Sequence, residues 1–94
     1  MLSQIPVDLT KVKKDSLNNE VLRAAIIGEL DAINLYDQLA AQTDNEDIRK
    51  VMLDIAKEEK SHMGEFQSLL LRLDQEQVQG LEHGKREVQE LTGK

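Results

Sequence analysis

The sequence of 94 residues contains no cysteine and no tryptophan, a single proline, five glycines and only 2% aromatic residues. Without cysteine, a disulfide scaffold, a thiolate metal site and thiol chemistry are excluded, and only nitrogen and oxygen ligands remain for a metal. Few turn-forming residues, together with 39% hydrophobic and 32% charged residues, are typical of an all-α protein whose core consists of aliphatic side chains and alanine. This length corresponds to one domain with a modest core.

Two further absences limit partners and location. The net charge is −6 and no stretch resembles a basic stripe, which argues against nucleic-acid binding. No apolar run approaches the roughly 18 residues of a membrane span, and the N-terminus lacks the apolar region of a signal peptide. We therefore expect no nucleic-acid or membrane partner and a cytoplasmic location.

The chain divides into an N-terminal arm, residues 1–15, and a helical domain, residues 16–94. The arm carries the only proline, Pro6, and no helical period, so we interpret it as extended and partly mobile. Ser16 is the expected N-cap of a first helix that ends near Gln42.

Thr43-Asp44-Asn45-Glu46 matches a capping box, which predicts that a second helix begins there and continues to about Leu73. So short a connection makes the two helices an antiparallel hairpin. Beyond Asp74, a predicted cap, Gly80 and Gly84 interrupt an otherwise helical spacing. This predicts one broken helix or two short ones that pack on a neighbour, with His83 as a surface histidine without helical partners.

Both predicted helices carry apolar residues in steps of four and three, the spacing of a helical packing seam, but three seam positions are ionisable. These are Glu29 on the first helix and Glu59 and His62 on the second. An unpaired buried carboxylate costs several kcal/mol, against about 5–15 kcal/mol of stability for a whole domain, so a positive partner or a metal ion must compensate. Lys57 and Lys60 fall off the seam, which makes a metal the more economical interpretation. The seam positions are Leu22, Ile26, Glu29, Ile33, Tyr36 and Ala40, then Ile48, Met52, Ile55, Glu59, His62, Phe66, Leu69 and Leu73.

The three ionisable residues lie at matching levels of the predicted hairpin. Glu29 precedes Thr43 by 14 positions and Glu59 follows it by 16, so at about 1.5 Å rise per residue they meet. A di-iron carboxylate bundle uses one Glu from each of two helices and a Glu-x-x-His from each of the other two. One copy of this chain supplies half of that set, and two copies around a two-fold axis complete it. We therefore predict a homodimer that shares a dinuclear metal site.

The segments Gly28–Gln38 and Glu58–His62 resemble those of the encapsulated ferritins, the short ferritin-like proteins associated with encapsulin nanocompartments. The resemblance covers roughly residues 16–92. It implies an antiparallel two-helix hairpin plus a short C-terminal helix that forms a ferritin-like four-helix bundle on dimerisation. It also implies a ring of dimers, typically a decamer, which oxidises Fe(II) with oxygen or peroxide and delivers iron for storage inside the encapsulin shell.

The resemblance also implies roles for individual residues. Glu29 matches the carboxylate that bridges two irons across the subunit interface, and Glu59 and His62 match the remaining ligands. Tyr36 matches a tyrosine close to the site, and Asp31 matches an acidic position linked to metal entry. The implied metal is iron, two per dimer, with Mn, Zn or Ca as substitutes.

Less specific interpretations stay open from the sequence alone. A Glu-x-x-His pair is common on solvated helix surfaces, Tyr36 also fits an ordinary packing aromatic, and Asp31 also fits a solvated acid. A non-catalytic assembly module, in which a metal such as zinc or calcium only joins the dimer, is the second function considered. A plain helical dimer without metal is the third, but it leaves the three seam interruptions unexplained.

Overall fold

The computed structural model describes residues 7–94 and contains no strand in that range, which confirms the all-α class. Two single-turn 3-10 helices, Leu9–Lys11 and Lys14–Ser16, precede three α-helices. These are α1 (Leu17–Gln42), α2 (Glu46–Leu73) and α3 (Gln75–Thr92). The predicted ends of the first two helices, Gln42 and Leu73, are therefore confirmed.

The N-terminal arm differs from the extended interpretation where it is described, while residues 1–6 of the predicted arm lie outside the described range. The first 3-10 turn, Leu9–Lys11, and the start of the second, Lys14–Ser16, fall within residues 7–15. In the first, Asp8 Oδ1 accepts hydrogen bonds from the hydroxyl of Thr10 at 2.6 Å and from its N–H at 3.1 Å. These bonds lower the pKa of Asp8. Ser16 precedes α1 but makes no side-chain capping bond, because its backbone (φ −103°, ψ −4°) is already near helical.

The predicted capping box at the hairpin turn is wrong, because α2 begins at Glu46 and Asn45 is its N-cap. Asn45 has extended backbone angles, and its Oδ1 accepts from the N–H groups of Asp47 at 3.0 Å and Ile48 at 3.1 Å. Thr43 Oγ1 accepts instead from the N–H of Asn45 at 3.2 Å, and Glu46 pairs with Arg49. Thr43 and Glu46 thus both contribute to the turn, but not through the reciprocal bonds of a capping box.

Arg49 ties the end of α1 to the start of α2. Its Nε donates to the carbonyl of Ala40 at 3.1 Å, and its Nη2 donates to the carbonyl of Thr43 at 2.5 Å. The last carbonyls of a helix have no partner within the helix, so this guanidinium satisfies groups that would otherwise depend on water. The hairpin is therefore closed by side-chain bonds from α2 as well as by its short connection.

The core between α1 and α2 is small. Among the described residues only Ala40, Ala56 and Leu70 are buried. Alanine at two of these positions lets the helix backbones approach closely, while many larger apolar side chains along the hairpin stay exposed. The exposed set includes Val21, Ile27, Leu30, Leu39, Ile48, Val51, Leu53, Leu69 and Leu73.

The C-terminal segment is one continuous helix, not the broken or double helix predicted from Gly80 and Gly84. A glycine inside a helix costs only about 0.5–1 kcal/mol relative to alanine, so two of them weaken α3 without ending it. The helix is capped at the start by Asp74, whose Oδ1 accepts from the N–H of Gln77 at 3.0 Å. At the other end Gly93 adopts a left-handed conformation (φ 76°), which glycine tolerates best.

The expectation that His83 lacks helical partners is also wrong, because its Nε2 lies 3.1 Å from Oε1 of Glu87, one turn later on α3. His83 is exposed, as predicted.

The molecule is flat, with two long dimensions, because α3 leaves the hairpin at the single residue that joins it to α2. The radius of gyration is 16.6 Å and the extents are 46 × 43 × 20 Å, whereas a compact chain of this length has a radius of about 12 Å. Asp74 is that joining residue, and Arg23 of α1 lies 3.6 Å from its Oδ2. The hairpin and α3 thus extend in two different directions.

Candidate metal centre

Three ionisable side chains converge midway along the hairpin. One ligand atom from each of Glu29, Glu59 and His62 lies within 4.8 Å of the other two. Nδ1 of His62 is 3.4 Å from Oε2 of Glu59 and 3.7 Å from Oε2 of Glu29. Among the described residues, this is the single group of three or more His, Cys, Asp or Glu side chains with that geometry.

Helix periodicity and the hairpin together position the cluster. Glu59 and His62 are three positions apart on α2, so they lie on the same face, one turn from each other. Glu29 reaches them from α1 because the antiparallel arms put the two levels side by side. The structure therefore brings together the three residues that interrupt the apolar seams, although their role as metal ligands stays a prediction.

Glu29 has a carboxylate oxygen with no hydrogen-bonding partner. Its Oε2 is buried, and no donor among the described residues satisfies it. A buried acceptor without a partner costs about 1–3 kcal/mol, and more when it is charged. Such an atom, aimed at a second carboxylate and an imidazole, fits a site that takes a cation.

The cluster is shielded on one side and open on the other. The side chains of Glu29 and Glu59 are each 19% exposed, whereas that of His62 is 47% exposed. Apolar residues in the same stripe of α2 flank His62 and are also exposed: Ile48, Val51, Leu69 and Leu73. Exposed apolar residues therefore lie on both sides of the cluster along the same face of α2, and monomeric proteins rarely leave large apolar patches uncovered.

One member of this apolar stripe, Val51, is absent from the seam as counted from the sequence. It precedes the seam residue Met52 by one position and is more exposed than Ile48. Counting the steps of three and four from Ile48 through Val51 to Ile55 finds it. The sequence therefore contained the spacing that identifies Val51. A seam counted with a single residue at each step leaves it out.

The other two predicted site residues are not members of the cluster. Tyr36 follows Glu29 by two helical turns on α1 and is half-buried, so it shares the face of Glu29 at a distance of about 10 Å along the axis. Asp31 is half-buried two positions after Glu29, and it is not part of the group of converging ligand atoms.

The donor set suits a hard or borderline divalent ion. It offers carboxylate oxygens and an imidazole nitrogen, with no thiolate in the sequence. Ligands of this kind favour Fe(II), Mn(II) or Zn(II) over soft ions such as Cu(I). One hairpin presents two carboxylates and one imidazole, which is too few groups to enclose two metal ions.

No helix in residues 7–94 combines the length and hydropathy that a membrane span requires.

A two-helix hairpin with a Glu on one arm and Glu-x-x-His on the other is the repeating half of a ferritin-like carboxylate bundle. That architecture and site define the class of protein. Comparisons with known families and structures agree with it.

The rubrerythrin family model matches residues 20–92. The crystal structure of the encapsulated ferritin domain from Pyrococcus furiosus superposes with a TM-score of 0.85 at 51% identity, covering 100% of this chain and 98% of that one. Curated relatives include a ferritin-like-encapsulin shell fusion protein of Pyrococcus furiosus, 61% identical over 74 residues. Another is the encapsulin nanocompartment cargo protein EncC of Myxococcus xanthus, 41% identical over 68 residues.

The chain belongs to the rubrerythrin family and, within the ferritin-like fold, to the encapsulated ferritins. The matches cover 79% and 72% of this chain but only 21% of the fusion protein and 50% of the cargo protein. The chain thus corresponds to one part of those longer relatives.

Proposed function

We propose that the chain is a ferroxidase that oxidises Fe(II) to Fe(III) at a di-iron site shared by two copies, for iron storage inside an encapsulin nanocompartment. The observation that carries this proposal is the convergence of Glu29, Glu59 and His62, with a buried oxygen of Glu29 left without a donor. The encapsulin association is carried over from the names of the relatives. The shell protein is accordingly the proposed partner, and the interior of a cytoplasmic nanocompartment is the proposed location.

A second copy completes the site. Two hairpins packed through the stripe around His62 bring together four carboxylates and two imidazoles, the ligand set of a di-iron carboxylate bundle. The same contact covers the exposed apolar residues that flank His62. Ring assembly of such dimers, as a decamer, is part of the proposal and rests on the family resemblance.

The charges of the shared site match its substrate. Four carboxylates with neutral imidazoles balance the charge of two Fe(II) ions, so binding leaves little net charge in a partly buried site. Oxidation adds two positive charges, and the carboxylate oxygens neutralise part of this rising metal charge. Each pair of Fe(II) ions loses two electrons, and one O₂ takes them up with two protons to give H₂O₂.

Two further residues have proposed roles at this site. Tyr36 lies two turns from Glu29 on the same helix face and orients a ligand through its hydroxyl. Asp31, two positions after Glu29 on α1, draws cations toward the centre. Mn, Zn and Ca are the proposed substitutes for iron as occupants.

The alternative function is a non-catalytic assembly module whose interfacial metal only stabilises the dimer. Aerobic addition of Fe(II) distinguishes the two. A ferroxidase raises Fe(III) absorbance faster than buffer does, and Glu29→Ala or His62→Ala abolishes that gain. Glu90→Ala, which removes an exposed acid on α3, is the control and keeps it.

Each variant is checked for helix content and oligomeric state in the same preparation. Oxidation at the buffer rate by an intact oligomer of the unmodified chain contradicts the ferroxidase and supports the assembly module.

A further inference from the structure

Met63 lies beside the candidate metal centre without belonging to its ligand set. It follows His62 directly and lies four positions after Glu59. Residues four apart on a helix are surface neighbours, with Cβ atoms about 5–6 Å from each other. A methionine side chain has three rotatable bonds and adapts to irregular gaps, so its sulfur has freedom to approach the centre.

Met63 also occupies the interior stripe of α2. It lies seven positions after Ala56 and seven before Leu70, the two buried residues of that helix, and it is half-buried. This spacing places Met63 on the face of α2 that carries its buried residues and not on the apolar stripe that flanks His62. Pairing of two copies through that stripe leaves the environment of Met63 within each hairpin unchanged.

The composition makes this thioether chemically prominent. The sequence has no cysteine and no tryptophan and only three methionines. Conversion of methionine to its sulfoxide is a common oxidative change of proteins, and it is reversible by reductases. In a chain without thiols, a methionine next to a centre that makes peroxide is the first side chain exposed to that oxidant.

We propose that Met63 is a specific oxidative modification site, converted to methionine sulfoxide by hydrogen peroxide formed at the adjacent centre. The inference rests on the proposed function, which supplies the peroxide. Two Fe(II) ions reduce one O₂ with two protons to H₂O₂. The O–O bond then breaks, one oxygen forms the S–O bond, the sulfur loses two electrons, and the other oxygen leaves as water with both protons.

The modification removes one peroxide per chain close to where it arises, in the part of the hairpin that holds His62. Each Met63 can react only once until its sulfoxide is reduced. A sulfoxide is polar, so the contact between α1 and α2 beside Glu59 becomes more polar once the site has reacted.

Met52 is an internal control of the same kind. It lies on the same helix, four positions before the buried Ala56, and it is half-buried like Met63. It precedes Glu59 by seven residues and His62 by ten, which is about 10 Å and about 15 Å along the axis. Both methionines are half-buried residues of the same helix, and they differ in their distance from the centre.

The experiment compares sulfoxide at the two positions under two conditions. The full chain receives Fe(II) in air with catalase in solution, so that peroxide that escapes into bulk is destroyed. A second sample receives hydrogen peroxide without iron or catalase. After chelation and digestion, mass spectrometry measures the oxidised fraction of Met63 and Met52, and Fe(III) absorbance is followed in the iron sample.

The expected result is a Met63 to Met52 sulfoxide ratio several-fold higher with iron and catalase than with added peroxide. Equal ratios, together with accelerated Fe(III) formation, overturn the proposal for Met63 and leave the ferroxidase intact. Fe(III) formation at the buffer rate overturns the proposed function and, with it, the source of the peroxide.

A second measurement uses Met63→Leu, which conserves volume and hydrophobicity. Without catalase, this variant is expected to release more peroxide during the first turnovers, by up to one equivalent per chain. Met52→Leu, the matched variant, releases the same amount as the unmodified chain. Identical release from all three proteins contradicts the role of Met63.

Discussion

At the scale of single residues, the centre combines groups that are unfavourable together without a cation. Two carboxylates, each 19% exposed, point at the same imidazole nitrogen, and one buried oxygen of Glu29 has no donor among the described residues. In a hairpin with so small a core, this arrangement lowers the stability of the metal-free chain. Under the proposed function, metal binding would then contribute to folding as well as to chemistry.

Glu29→Gln tests whether the Glu29 carboxylate lowers the stability of the metal-free chain, because the substitution removes the negative charge and nearly keeps the shape of the side chain. We expect the metal-free variant to be more stable by about 1–3 kcal/mol, the usual cost of a buried unsatisfied group. For a domain of this size, each kcal/mol raises Tm by about 4–8 °C. Calorimetry at fixed protein concentration measures the change.

The same variant is expected to lose most of the stabilisation by metal, which for an intact site is about 2.7 kcal/mol at one hundred times Kd. Glu90→Gln, with an equal change of charge at an exposed position of α3, should leave both Tm values unchanged. A metal-free Tm that falls in Glu29→Gln would refute the assignment of Glu29 as a destabilising ligand.

At the scale of secondary-structure elements, Asp74 decides how α3 leaves the hairpin. Its backbone N–H donates to the carbonyl of Leu70 at 2.9 Å, its Oδ1 caps α3 through the N–H of Gln77, and its Oδ2 faces Arg23. One residue therefore ends one helix, begins the next and connects both to α1. The carboxylate is largely shielded, whereas the Arg23 side chain is half-exposed.

Two substitutions at Asp74 separate its functions. Asparagine caps helices about as well as aspartate, so Asp74→Asn loses only the ion pair and should cost no more than about 1 kcal/mol. Asp74→Ala also loses the cap and should cost about 0.5–2 kcal/mol in addition. Chemical denaturation gives the free energies of unfolding. Equal losses in the two variants would show that the cap contributes nothing.

At the scale of the whole molecule, the chain has far more apolar surface than its own core covers. Three buried residues support helices of 26 and 28 residues. Small domains bury a lower fraction of their surface than large ones and are correspondingly marginal. The proposed association through the stripe around His62 would cover apolar residues and complete the proposed site in one step.

Leu69→Lys tests this association. Leu69 follows His62 by seven positions in the same stripe and is 46% exposed, so lysine fits the isolated chain with a change of about 0.5 kcal/mol or less. In a dimer, however, it would bury a charge. We expect the variant to sediment as a smaller species than the unmodified chain when metal is present.

Leu53→Lys is the matched control, since Leu53 is 48% exposed on the same helix. It precedes His62 by nine residues, two and a half turns, and so lies on the opposite face. This variant should keep the dimer. If Leu69→Lys also sediments like the unmodified chain, the stripe is not the interface.

The hairpin and its converging residues could be predicted from the sequence, and for the same reason. An apolar seam in steps of four and three makes an acid at Glu29 or Glu59 stand out from its neighbours. The seam did not define the inside face of α2, because Leu69 is exposed and the buried Leu70 is not a seam position. The short connection makes the two helices antiparallel, and it therefore determines which residues of α1 and α2 lie side by side. These are local rules, and they gave the helix ends at Gln42 and Leu73 as well.

Other features depended on competition between several weak effects. Thr43 and Asn45 are both good capping residues, and the preference for Asn45 followed from where the backbone turned. Gly80 and Gly84 weaken a helix by amounts that flanking residues outweigh, so their number alone could not predict a break. A seam one residue wide also passed over Val51.

The sequence by itself determined that the chain is helical, that it folds back once and that Glu29, Glu59 and His62 meet, because helical periodicity acts within a few turns. Only the tertiary structure decided that α3 is continuous and projects from the hairpin, that an oxygen of Glu29 is buried without a donor, and that His62 opens onto apolar surface. Burial and orientation are sums over neighbours from distant parts of the chain. A local sequence pattern does not specify those neighbours, so it cannot predict burial or orientation.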